Sequence, residues 1–79
     1  MSIIYTNEEI NLAKEITHTL QDWEAQSTHL AFARRFSEWY LRKQLAKVMA
    51  TREDEITNSR GAYFTYLVNK YKDDDGARR

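Results

Sequence analysis

The stretch from Thr28 to Met49 constrains this chain most, because apolar side chains recur in it at helical spacing and positive charge concentrates there. Leu30, Ala33 and Phe36 form one stripe, and Leu41, Leu45, Val48 and Met49 form a second at i, i+4, i+7 and i+8. That period puts each set on one face of an α-helix, where a strand would alternate every two residues. Ser37 followed by Glu38 offers a fresh helix start between the stripes. The spacing predicts helices over 28–35 and 37–50 that meet at a tight corner resembling a helix-turn-helix. With neither glycine nor proline between them, a single bent helix is the alternative.

The outer segments must pack on this pair. Thr6 or Asn7 caps a first helix, with Glu8 and Glu9 in the turn where the helix dipole favours negative charge. Ile10, Ala13, Ile16 or Thr17, Leu20 and Trp23 form its stripe, which predicts a helix to residues 23–25. Residues 3–5 read as an apolar tether over one edge of the core. Thr51-Arg-Glu-Asp54 has capping-box spacing and predicts one loose turn over 52–55, with Ile56 plugging the core from the loop. Asn58, Ser59 and Gly61 mark a break, and Ser59 caps a last helix over 60–72 whose inner face is Phe64, Leu67, Val68 and Tyr71. Of Tyr63 and Tyr66, on its other side, one is expected in solvent. The fold expected is all-α: a compact bundle of four helices in one domain, residues 1–72, with 73–79 a fraying, disordered tail.

At 79 residues there is no room for a second domain. So short a chain buries only roughly 60% of its unfolded surface, so its core depends on large side chains such as the ten aromatic residues. The absence of cysteine excludes disulfides and thiolate metal sites. No apolar run approaches the roughly 18 residues of a membrane span, and no signal pattern opens the chain, so no membrane partner and a cytoplasmic location are expected.

No catalytic residues, metal ligands, cofactors or small-molecule substrate are expected. The two histidines, His18 and His29, fall on different elements and are read as surface residues without a nucleophile or carboxylate partner. Asp73 to Asp75 lack the alternating spacing of a calcium loop. The net charge is zero but unevenly spread: residues 1–33 carry one base and five acids, residues 34–52 six bases and one acid. A basic middle is either an electropositive face or the neutralising partner of an acidic first helix. In the first case Arg34, Arg35, Arg42, Lys43 and Lys47 hold phosphates of DNA or RNA, and Gln44 reads an adenine edge. A protein partner or a homodimer is the other class, anchored by Trp39, Tyr40 and Tyr63, since exposed aromatics are favoured at interfaces.

Residues 56–68 read Ile-Thr-Asn-Ser-Arg-Gly-Ala-Tyr-Phe-Thr-Tyr-Leu-Val. This segment resembles the I-x-N-P-x-A-Y-L ending of helical modules in plasmid and phage replication initiators and DnaD-like proteins. With the helices before it, the resemblance spans residues 30–71. It implies that Asn58 starts the last helix, that Ala62 and Tyr63 pack that helix on its neighbours, and that the module contacts DNA or replication partners. Ser59 stands where proline is usual, and Phe64 where the leucine falls.

Overall fold

The computed structural model describes residues 4–73. They form an all-α bundle of four helices: α1 (Asn7–Leu20), α2 (Gln26–Arg35), α3 (Glu38–Ala50) and α4 (Arg60–Tyr71). Short 3-10 turns at Trp23–Ala25 and Glu53–Glu55 precede α2 and α4. No strand occurs among the described residues, and none of their helices is long and apolar enough to cross a membrane. The tail expected to fray lies outside the described residues beyond Asp73, as do the first three residues of the chain.

The helix starts follow local chemistry. The Thr6 hydroxyl accepts the Glu9 amide at 3.1 Å while the Glu9 carboxylate accepts the Thr6 amide at 2.8 Å, a complete capping box. Ser59 Oγ accepts the Ala62 amide at 3.1 Å and starts α4. The other helix starts carry no side-chain cap, Ser37 before α3 included. Helix α2 begins two residues before Thr28, led in by the 3-10 turn, with no side-chain cap. The Thr51 hydroxyl donates back to the Lys47 carbonyl at 2.7 Å, so the turn at 53–55 forms without a capping box.

Helix α1 ends at Leu20, short of Trp23. Gln21 adopts the left-handed conformation, φ 54°, and its amide and that of Asp22 bond the His18 and Thr17 carbonyls. The chain therefore turns before Trp23, which lies in solvent with the His18 ring edge-on to it at 4.8 Å. The buried face of α1 is Glu9, Leu12, Ala13, Ile16, Thr17 and Leu20, which leaves Ile10 half-buried.

Helix α1 packs chiefly on α2, and α3 on α4. Their common core joins Ile16, Leu20, Phe32, Phe36, Tyr40, Leu41, Leu45, Val48, Phe64, Leu67 and Val68. Leu30, expected at its centre, is only half-buried, because α2 turns His29, Phe32 and Ala33 inward. Ile56 is half-buried at the edge, where it lines surface grooves instead of plugging the core.

His29 is not the surface residue expected. It is fully buried, with Nδ1 2.9 Å from the Thr17 hydroxyl, which donates to the Ala13 carbonyl at 2.8 Å. That bond assigns the ring proton to Nδ1, so the Nε2 lone pair faces Asp22 Oδ2 at 3.5 Å. The Asp22 carboxylate lies against the first turn of α4, where a Cβ on Gly61 would come within 2.1 Å of it. Glycine at 61 gives this loop its close approach to the helix.

Burial lowers the His29 pKa from its ordinary value near 6.5, and attraction to Asp22 opposes this only in part. The folded state thus favours the neutral ring, whereas the unfolded chain takes up a proton as pH falls through about 6.5. Stability should be full above that pH and fall below it until the buried ring is protonated as well. Urea midpoints measured from pH 8 to pH 5 should decline, and His29→Gln should flatten that decline; an unchanged slope would remove His29 as its source.

Candidate nucleic-acid interface

The six residues read as a nucleic-acid face do not converge on one surface. Arg34, at the end of α2, reaches the start of α1, where Nη2 lies 3.1 Å from Glu9 Oε1 and also donates to the Ile4 carbonyl. Its guanidinium sits 4.8 Å above the Tyr5 ring, so the N-terminal segment is held by backbone and tyrosine while Ile4 stays in solvent. The backbone bond from Thr6 and then Arg34 keep the Glu9 carboxyl below its ordinary pKa, and the glutamate is buried charged. Arg42 bridges Glu15 of α1 and Glu38 one turn back on α3, the latter at 2.7 Å. Arg35 lies 5.5 Å over the Phe36 ring, and Lys43 is exposed on α3. Two arginines of the basic stretch thus neutralise the acidic first helix.

Gln44 is fully buried on the inner face of α3 and reads no base edge from there. Tyr40 is likewise no partner anchor. It is buried in the core, and its hydroxyl donates to the Val68 carbonyl at 2.5 Å, tying α3 to α4. Trp39, one residue earlier, points outward and is 54% exposed. Tyr63 is half-buried, with its ring nearly parallel to that of Tyr66, at 15° and 6.5 Å between centroids.

A different set of cations and rings does meet. Lys47 of α3 and Lys70 of α4 bring their ammonium groups to 4.3 and 5.3 Å from the centroid of one ring, that of Tyr71. Lys70 also lies 5.4 Å from the Tyr66 ring. A hydrogen bond to Tyr66, then attraction to the Tyr66 and Tyr71 oxygens, raises the Lys70 pKa above its ordinary value. Among the described residues neither lysine is ion-paired, in contrast to Arg34 and Arg42. Lys47 was in the expected strip; Lys70, Tyr66 and Tyr71 were missed, although the Tyr66–Lys70 spacing of four already places them together on one helix face.

Next to the two stacked tyrosines an open groove of about 430 Å³ runs between the end of α3 and the start of α4. Ile56, Asn58, Ser59 and Glu55 line it with Tyr63 and Tyr66. No group of three or more metal-binding side chains occurs among the described residues. Comparisons with protein-family models, with curated proteins and with solved structures find no match.

Proposed function

We propose that this chain is a small non-enzymatic, nucleic-acid-associated module of a replication or mobile-element system. The supporting observation is the pair of lysines, Lys47 and Lys70, that two helices bring to the tyrosines of α4 without a carboxylate between them. Ammonium groups beside the exposed Tyr66 ring and the half-buried Tyr71 ring suit a phosphate backbone with bases alongside. The resemblance of residues 56–68 to replication-initiator modules suggested the same class, although Ser59 and not Asn58 caps α4, and Ala62 lies exposed instead of packing on a neighbour. The cations of this reading are Lys47 on α3 and Lys70 on α4, not the arginines that pair with Glu9 and Glu15 of α1.

Salt titration tests it. Affinity for a generic duplex should fall with salt at a logarithmic slope of roughly −0.9 per phosphate neutralised, and for a single strand at roughly −0.7. Lys47→Glu with Lys70→Glu should abolish binding and leave the far-UV circular dichroism unchanged, because both side chains lie on the outside. No binding at low salt would overturn the proposal.

A protein adaptor or homodimer is the second reading, favoured by Trp39, whose indole is more than half exposed on α3. A protein that ignores nucleic acid but elutes as a dimer, and becomes monomeric on Trp39→Ala, would establish it.

A further inference from the structure

Resting on that reading, we infer that the nucleic acid recognised is single-stranded, with an unpaired base lodged in the groove against Tyr63 and Tyr66 and the adjoining phosphate on Lys70. A duplex shows a protein only base edges and backbone, whereas a tyrosine ring binds a base through its face. Here two nearly parallel rings stand beside an open groove, and Tyr66 is 54% exposed. The groove is within the size range of clefts that hold small molecules, roughly 300–1,000 Å³.

Lys70 lies four residues beyond Tyr66, about 6 Å along the helix axis, close enough for its ammonium to meet the phosphate of a nucleotide whose base lies on that ring. The Lys70 arm now covers the Tyr66 ring at 5.4 Å. Swinging its exposed ammonium to a phosphate clears that ring for the base.

The groove also carries polar groups suited to a base edge. The Asn58 amide both donates and accepts, the Ser59 hydroxyl is free to donate while its oxygen accepts from Ala62, and the Glu55 carboxylate accepts from an exocyclic amine. An amine-bearing base such as cytosine fits this arrangement better than thymine.

The test uses the full chain with labelled oligodeoxycytidine, labelled oligodeoxythymidine and a duplex of equal length, at low salt. The expected order of affinity is deoxycytidine strand, deoxythymidine strand, duplex. Tyr66→Ala should weaken single-strand binding about tenfold or more, the loss of one stacked base, and weaken duplex binding far less. Tyr66→Phe keeps the ring and should restore it, while Lys70→Glu should weaken both. Tyr66 lies outside the core, so the alanine variant keeps its fold, which circular dichroism verifies. Equal binding of strand and duplex, with Tyr66→Ala changing neither, overturns this inference and leaves the nucleic-acid reading standing; binding to none of the three probes overturns both.

Discussion

Phe64→Ala should lower the unfolding free energy by about 3–5 kcal/mol, the usual cost of truncating a buried phenylalanine. The ring is fully buried at the centre of α4, with the His29 and Phe32 rings edge-on to it at 5.8 and 6.2 Å. It therefore joins α4 to α2, an attachment that few other side chains can replace in so small a core. A domain of this length has roughly 4–12 kcal/mol of stability in all, at about 0.05–0.15 kcal/mol per residue. The variant should thus be partly unfolded at 37 °C or close to it. Urea denaturation followed by circular dichroism measures the loss. Tyr66→Ala, two residues along the same helix but facing solvent, should change stability by no more than about 0.5 kcal/mol. Similar losses for the two variants would show that the inner face of α4 had been assigned wrongly.

That inner face was legible in the sequence, because Phe64, Leu67 and Val68 repeat with the helix; the other stripes were legible only in part, since Trp23 and Met49 lie exposed and Ile10 and Leu30 are half-buried. What was illegible belongs to polar residues whose burial depends on a partner far along the chain. Glu9 is buried because Thr6 and Arg34 satisfy it, and Arg34 is 25 residues away. His29 is buried because the Thr17 hydroxyl oxygen accepts its Nδ1 proton from across the α1–α2 turn. Tyr40 is buried because its hydroxyl finds a helix carbonyl 28 residues on. Composition and periodicity carry no record of such pairings, so His29 was read as a surface residue, Tyr40 as an exposed anchor, and Glu9 only as an acid for the helix dipole.

The end of α1 was obscured for a different reason. A left-handed cap usually announces itself with glycine or asparagine, and here glutamine occupies it, so the stripe read on to Trp23. The candidate site divides in the same way. The Tyr66–Lys70 pair is a matter of spacing along one helix, whereas the convergence of Lys47 on Tyr71 required knowing how α3 lies against α4.

Gln44→Met should raise stability by about 1–3 kcal/mol, against the usual direction of core substitutions. The glutamine is fully buried between Tyr40 and Val48 on the inner face of α3, and neither its Oε1 nor its Nε2 has a hydrogen-bond partner in the protein. Burying an unsatisfied amide costs about 1–3 kcal/mol, and an apolar side chain of similar shape removes that cost. Methionine has nearly the same helix propensity, length and flexibility, so neither backbone preference nor overpacking should offset the gain. The urea midpoint should rise with an unchanged denaturant slope, the signature of altered stability without altered compactness. Nucleic-acid binding should be the same in both proteins, because the side chain never reaches the surface. A lower midpoint would show that the amide is satisfied inside the core after all, by a buried water with at least two polar partners. A loss of binding with stability unchanged would return Gln44 to the surface and with it the original reading of α3 as the helix that meets a base.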